Sequence, residues 1–126
     1  MKEIVFTPSA PAAIGPYSQA VSLDSLIFTS GQLPIDPATG VFPSDDIKEQ
    51  TKQSLLNVKA ILEAAGSGMD KVLKTTVFLT DIADFSAMNE VYAAFFPVGG
   101  CPARSAVQVA ALPKNAKVEI EVIAQK

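Results

Sequence analysis

The chain has 126 residues, 48% of them hydrophobic and 18% charged, and this length predicts one domain spanning residues 1–126 with its own core. Its net charge of −3 and its lack of a Lys/Arg cluster argue against a nucleic-acid partner, because binding to phosphates requires grouped cations. No apolar run approaches the ~20 residues that cross a bilayer, and the start MKEIVFTPSAP does not have the apolar core of a signal peptide. A lone cysteine agrees with a reducing compartment. We therefore expect a cytoplasmic protein without a membrane partner.

The first half of the chain predicts three strands followed by a helix. The strands are expected at residues 2–7, 20–23 and 26–33. Asp24 and Ser25 predict a tight hairpin turn between the last two, and a loop rich in Pro, Gly and Asp then ends in possible helix caps at 44–46. The residues expected on the buried face of the helix recur at helical spacing before a C-terminal cap at Gly66: Ile47, Thr51, Leu55, Val58, Ile61, Leu62 and Ala65.

The second half repeats this alternation. Strands are expected at residues 72–80, 103–112 and 117–124. Between the first two lies a helix from about Asp84 to a stop at Pro97, with these residues on one side: Phe85, Met88, Tyr92 and Phe95. Strand pairs separated by single helices predict an α+β fold, with a mixed β-sheet of about six strands and both helices packed on one face.

The sheet face without helices is expected to be mixed in character. Because strand side chains alternate, one side of the last strand carries Val118, Ile120, Val122 and Ala124, and the other carries Glu119, Glu121 and Ile123. The same rule puts Leu73 on the side of Val77 and Leu79, and Val72 on the opposite side with Phe78. A face that is neither fully polar nor fully apolar usually meets another subunit, so we expect a closed homo-oligomer.

Arg104 is the only charged residue between Val91 and Pro113, and two interpretations of it are open. It is either a structural edge arginine, paired with Glu119 or Glu121 or lying in a subunit interface, or a clamp for a ligand. In the second case the planar guanidinium would bind a carboxylate through two parallel hydrogen bonds. We expect Arg104 on the face without helices, close to Glu119.

Few other side chains of the sequence could take part in catalysis or bind a ligand or metal. The chain has no histidine, which excludes imidazole base catalysis and His-containing metal sites, and the lone cysteine has no neighbouring base and is expected to be a small buried or interface residue. Glu119 and Glu121 can supply an acid or a base, although strand glutamates are often simply solvated. Tyr17 in GPYSQ and the Ser30-Gly31 pair in TSGQ offer hydrogen bonds, but they also fit ordinary turns.

Four segments together closely resemble the Rid family, the reactive intermediate deaminases, also called the YjgF family. They are PAAIGPYSQAV, FTSGQLPIDPATG, QSLLNVKAILEAAGSGMDKVLKTTVFLTDIADFSAMNEVYAAFF and PARSAVQVAALPKNAKVEIEVIA. The resemblance covers nearly the whole chain in order, and its most specific part is PARSAVQVAALP with the Glu-bearing strand after it.

The resemblance implies a chorismate-mutase-like α+β fold and a homotrimer with sites in the clefts between subunits. The implied reaction is hydrolysis of 2-enamine and 2-imine acids to 2-oxo acids and ammonia, without a metal or other cofactor. The substrates of similar proteins are 2-aminoacrylate, its tautomer 2-iminopropanoate, and 2-iminobutanoate. PLP-dependent dehydratases acting on serine or threonine release them.

The resemblance also implies roles for particular residues. The implied catalytic residues are Arg104, Glu119 and Tyr17, and the implied substrate-binding residues are Ser30, Gly31, Asn89 and Ala106. Arg104 matches the arginine that binds the substrate carboxylate, and Glu119 matches the acidic residue near the water. Ala106 departs from the family, because many members of the archetypal subfamily have cysteine there; its backbone N–H can still contact the substrate.

Two other functions remain open at this point. A non-catalytic module that binds small 2-oxo acids would use the same arginine. An RNA-cleaving inhibitor of translation, a role suggested for some similar proteins, agrees less well with the acidic charge and the missing histidines. The sequence does not identify the preferred imine.

Overall fold

The computed structural model describes residues 1–126 and consists of one six-stranded β-sheet and two α-helices. The strands are β1 (Glu3–Val5), β2 (Ala20–Leu23), β3 (Leu26–Thr29), β4 (Val72–Leu79), β5 (Ala103–Gln108) and β6 (Val118–Gln125). The helices are α1 (Ile47–Ala64) and α2 (Phe85–Ala93). The sheet contains parallel and antiparallel pairs, so the predicted mixed six-stranded sheet with two helices is confirmed.

The strand order β1-β2-β3-β6-β4-β5 places the last strand inside the sheet. β6 pairs antiparallel with β3 and with β4, whereas β4 and β5 are parallel. Parallel neighbours need a crossover connection, and α2 supplies it between β4 and β5. β5 is therefore an edge strand, and β4 separates it from β6.

Both helices cover one face of the sheet. The stripe predicted for α1 is buried except for Ala65, which is half-buried and follows the last residue of the helix. The central residues of the stripe are fully enclosed: Leu55, Val58, Ile61 and Leu62. The β6 residues predicted to share one side are also buried: Val118, Ile120, Val122 and Ala124. α2 joins the same core, because the buried Tyr92 hydroxyl lies 2.7 Å from the buried hydroxyl of Thr75 on β4.

The predicted turn after β2 and the predicted caps of α1 are present. Asp24, between β2 and β3, has a φ of 54°, and Gly66, after α1, has a φ of 82°. The Asp46 side chain caps α1 by accepting a hydrogen bond of 3.1 Å from the backbone N–H of Glu49. Neither helix is both long enough and apolar enough to cross a membrane.

Three strands end two or more residues before their predicted ends. β1 ends at residue 5, β3 at residue 29 and β5 at residue 108. After β3 the chain returns to the sheet only at Gln32, in a single bridge with Ile120. Composition alone predicted a longer strand, but this early end frees Ser30 and Gly31 from the regular ladder, so that they can line a cleft.

The predicted sides of Val72 and Leu73 were wrong, because β4 contains a bulge. The register shifts between Val72 and Lys74, so Leu73 is the extra residue. A bulge adds one residue to one strand and reverses the alternation on one side of it. As a result Val72 is buried with Thr75 and Val77, and Leu73 is exposed.

Candidate functional site

A cleft of about 810 Å³ opens where β3 ends beside β6 and the loop of residues 6–19. Four of the predicted site residues line it: Tyr17, Ser30, Gly31 and Glu119. The rest of its surface is largely apolar and includes Phe6, Ile14, Leu33 and Ile35. The structure therefore brings together residues that are about 100 positions apart in the chain.

Buried amide side chains hold the irregular walls of this cleft. Gln19 accepts a hydrogen bond from the Thr7 N–H (2.8 Å) and donates to the carbonyls of Thr7 (3.0 Å) and Pro11 (2.9 Å). On the other wall, the Asn57 amide of α1 donates to the carbonyls of Leu33 (3.1 Å) and Ile35 (2.9 Å). Buried backbone groups outside regular structure need such partners. Sequence analysis missed both amides, because no periodic pattern marks a polar residue as buried.

Glu119 supplies the carboxyl group of the cleft. Its side chain is half-buried, and desolvation raises the pKa of this carboxyl above its ordinary value of 4.5, with a further rise from the negative charge of Glu121. The two ion pairs of the structure lie elsewhere, between Lys48 and Glu90 and between Lys126 and Glu3. A desolvated carboxyl without an ionic partner is a suitable acid or base.

Ser30 and Tyr17 differ in how free their hydroxyls are. The Ser30 hydroxyl donates to the Ser18 carbonyl at 2.6 Å, and the Ser30 N–H donates to the Gln19 carbonyl at 2.9 Å. Its side chain therefore holds two loop segments together. Tyr17 is half exposed and accepts only a long hydrogen bond of 3.5 Å from the Ile14 N–H, so its hydroxyl is available to a ligand.

Gly31 makes room for the Glu119 carboxyl. A Cβ at Gly31 would lie 2.8 Å from Cδ and 3.0 Å from Oε1 of Glu119, closer than real contacts allow. The carboxyl can move because it is the end of a flexible side chain.

We expect Gly31→Ala to displace this carboxyl and to lower kcat about tenfold or more for the hydrolysis that the family resemblance implies, since small misplacements of a reacting group have large effects. The melting temperature should change little. Gly68→Ala is the matched control: its Cβ would meet Oδ1 of Asp70 at 2.9 Å, outside the cleft. Steady-state rates and thermal melts of both variants check this, and equal rates would contradict it.

Arg104 does not lie in this cleft, and its predicted place near Glu119, on the face without helices, was wrong. Arg104 is in register with Thr75, whose side chain is buried under α2. Its Nη1 donates to Oδ1 of Asn89 at 2.6 Å, and its guanidinium lies over the rings of Tyr92 and Phe85. Arg104 thus lies on the helix face of the sheet.

The prediction failed because it assumed that β5 pairs with β6. β4 lies between them, and Phe78 of β4 is the register partner of both Glu119 and Val107. Paired residues point to the same side of a sheet, so Glu119 shares the open face with Val107, three residues from Arg104. The expected pairing of Arg104 with Glu119 or Glu121 is absent.

Asn89 and Ala106, which were also predicted as site residues, lie with Arg104 rather than in the cleft. Asn89 projects from α2 to the guanidinium, and Ala106 packs against the core beside Val77. Cys101 is exposed rather than buried, and its thiol contacts the Pro97 carbonyl at 3.6 Å. The predicted site residues therefore fall into two separate groups, which we call the cleft half-site (Tyr17, Ser30, Gly31, Glu119) and the Arg104 half-site (Asn89, Arg104, Ala106). No group of three or more His, Cys, Asp or Glu side chains could hold a metal ion.

Comparison with known proteins gives the family. The family model described as Endoribonuclease L-PSP matches residues 7–126. The chain belongs to this family. A RutC family protein of Pyrococcus horikoshii is 55% identical over 100% of this chain and 99% of its own length. The 2-iminobutanoate/2-iminopropanoate deaminase of Salmonella typhimurium is 52% identical over 98% of each chain.

The solved structure of a related protein has the same fold as this chain. E. coli TdcF with bound serine matches with a TM-score of 0.93 and 52% identity, over 98% of each chain. Relatives named reactive intermediate deaminases confirm the predicted Rid resemblance.

Proposed function

We propose that this protein hydrolyses small 2-imino and 2-enamine acids, such as 2-iminopropanoate, 2-aminoacrylate and 2-iminobutanoate, to 2-oxo acids and ammonia. The observation that carries the proposal is that two charged groups, the Arg104 guanidinium and the Glu119 carboxyl, both lack an ionic partner within the subunit. A substrate with a carboxylate beside an imine supplies a partner for each. The names of the deaminase relatives and the serine bound to E. coli TdcF support an amino-acid-like ligand.

The chemistry needs only positioning and proton transfer. Arg104 binds the substrate carboxylate. Glu119 holds a water against C2 of the imine, which reacts in its protonated form, and takes a proton as the water oxygen attacks. The resulting carbinolamine carries –OH and –NH₂ on C2. Glu119 then protonates the nitrogen and the hydroxyl proton passes to solvent water, so the C–N bond breaks, ammonia is released and the 2-oxo acid remains. Acid–base assistance of this kind contributes about 10²- to 10⁴-fold. Tyr17 has a free hydroxyl that can orient the nitrogen or the water.

A homotrimer would complete the site. Because the two half-sites lie on opposite faces of one sheet, the Arg104 half-site of one subunit must meet the cleft half-site of its neighbour. The open face carries exposed Phe28 and Val107 beside half-buried Glu119 and Glu121, a mixed surface that suits a subunit contact. Three copies joined head to tail close into a ring with three equal clefts.

We expect light scattering to give about three times the monomer mass of 13.2 kDa at micromolar concentration. Subunit mixing tests the shared site directly. Arg104→Ala and Glu119→Gln subunits, unfolded and refolded together in equal amounts, should recover about a quarter of the parent activity, since each heterologous site draws its two residues independently. A monomer mass, or no recovery in mixed oligomers, would contradict the shared cleft.

The function is tested by a coupled assay. A PLP-dependent threonine dehydratase releases 2-iminobutanoate, semicarbazide traps the imine that remains, and 2-oxobutanoate formation is followed with and without this protein. Faster formation of 2-oxobutanoate supports the deaminase. A module that only binds 2-oxo acids would bind 2-oxobutanoate in calorimetry without accelerating the reaction. The family description retains RNA cleavage as a second candidate, and labelled RNA that stays intact at low salt would exclude it.

A further inference from the structure

We propose that α2 holds Arg104 in a neutral seat, formed by Phe85, Asn89 and Tyr92, which orients the guanidinium and leaves its charge free for an anion. Asn89 and Tyr92 are positioning residues that act through Arg104. The inference rests on the proposed carboxylate-binding role of Arg104.

The contacts of the seat come from one helix face. The guanidinium carbon of Arg104 lies 4.7 Å from the ring centroid of Tyr92 and 5.4 Å from that of Phe85. Its Nη1 donates to Asn89 Oδ1 at 2.6 Å. Residues spaced by four and then three positions share one side of a helix, so α2 presents all three groups together.

Thr75 fixes the seat relative to the sheet. The Tyr92 hydroxyl and the Thr75 hydroxyl form a buried hydrogen bond of 2.7 Å. Thr75 is also the register partner of Arg104 in the β4–β5 pair. Thr75, the strand neighbour of Arg104, therefore holds the Tyr92 ring on which Arg104 stacks. The sheet as well as α2 thus fixes the position of the guanidinium.

The seat leaves the positive charge of Arg104 unneutralised. Its contacts are one amide oxygen and two aromatic rings, and the two ion pairs of the structure involve other residues. A guanidinium has five N–H donors, and only one of the Arg104 donors is bonded within the subunit. A carboxylate in the seat would orient Arg104 equally well, but it would compete with a substrate carboxylate for the charge and for the planar fork.

The phenol of Tyr92 also stays uncharged. Burial raises its pKa above the ordinary value of 10.0, and this effect exceeds the opposing ones from the Thr75 hydrogen bond and the Arg104 charge. The seat is thus neutral at any pH at which the protein would work.

Asn89→Asp is the sharpest test, because it has the same shape and adds only the competing charge. We expect the KM for 2-iminobutanoate to rise about tenfold or more, with a smaller change in kcat. The melting temperature should be unchanged or higher, since a half-buried ion pair replaces a neutral hydrogen bond. Loss of activity without loss of stability is not expected of a merely structural contact.

Tyr92→Leu removes the ring, and we expect KM to rise about fivefold, the scale of one cation–π contact. Tyr92→Phe keeps the ring and should recover most of this loss. Met88→Ala is the control, because Met88 is a buried core residue of α2 that makes none of the contacts to Arg104. It should lower the melting temperature without raising KM.

A spectroscopic readout is independent of activity. Arg104 is the only arginine of the chain, so its side-chain Nε–H gives a single NMR signal. Ring currents should shift this signal in the parent, and Tyr92→Leu should move it toward its position in free arginine. An unmoved signal would contradict the stacking.

The outcomes separate the seat from the proposed function. If Arg104→Ala raises KM while Asn89→Asp and Tyr92→Leu do not, the seat is wrong and the role of Arg104 stands. If Arg104→Ala also leaves KM unchanged, the role of Arg104 is wrong and the seat has no function. If Asn89→Asp raises KM in the parent but not in Arg104→Ala, the two residues act together, as proposed.

Discussion

Replacing Arg104 with lysine should lower kcat/KM for imine hydrolysis by about 10²- to 10³-fold, the scale of two charge-assisted hydrogen bonds. Alanine should be only slightly worse. An ammonium keeps the charge, but it cannot make two parallel contacts with a carboxylate. It would also lose the planar surface that lies over Tyr92 and Phe85, so the remaining charge would be poorly oriented.

The measurements are the rate of imine hydrolysis, the melting temperature and the oligomer mass of both variants. Thermal stability should fall little, because Arg104 has no ionic partner to leave unpaired. Lys52→Arg is a useful control with parent-like turnover expected, since Lys52 is an exposed cation of α1 outside both half-sites. Near-normal turnover of Arg104→Lys would refute the clamp, and loss of assembly in both variants would indicate a structural arginine.

Replacing Glu119 with glutamine should lower kcat by about 10²- to 10⁴-fold, the usual contribution of general acid–base catalysis, with a small change in KM. Glutamine keeps the shape of the side chain and can still hold a water. It cannot accept the proton as C2 is attacked or return it to the nitrogen. Parent-like kcat in Glu119→Gln would exclude this role.

The pH dependence gives a second test of Glu119. Because its pKa is raised, the parent should lose kcat/KM as the pH falls through a value above 4.5. Glu121→Gln removes a like charge and should lower the pKa of Glu119, so this acid limb should move to lower pH. A limb that does not move in Glu121→Gln would show that another group titrates.

Glu119→Gln should raise the thermal stability of the protein while it lowers the activity. A carboxyl whose pKa is raised by folding stabilises the folded state fully below its unfolded pKa, and this contribution is lost as the pH rises through the folded pKa. At pH 7 the half-buried Glu119 carboxylate is therefore unfavourable, and Glu119→Gln should melt at a higher temperature than the parent. The difference should vanish near pH 4, which melts across this range would detect.

Features that depend on near neighbours in the chain were predictable from the sequence. The buried stripe of α1, its cap at Gly66 and the buried side of β6 follow from spacings of a few residues, because helix and strand geometry repeats over that distance. The resemblance to a family then predicted Glu119 and Gly31 as site residues, and the structure brings these two side by side.

Features that depend on which distant segments pair were decided only by the tertiary structure. The face on which Arg104 lies depends on β4 separating β5 from β6, and the exposure of Leu73 depends on a bulge in the β4–β6 pair. The burial of Gln19 and Asn57 depends on loops from elsewhere in the chain that need their hydrogen bonds. Strand pairing and buried polar contacts depend on packing between segments that are far apart in sequence. Alternation within one strand shows which residues share a side, but not which side faces the helices.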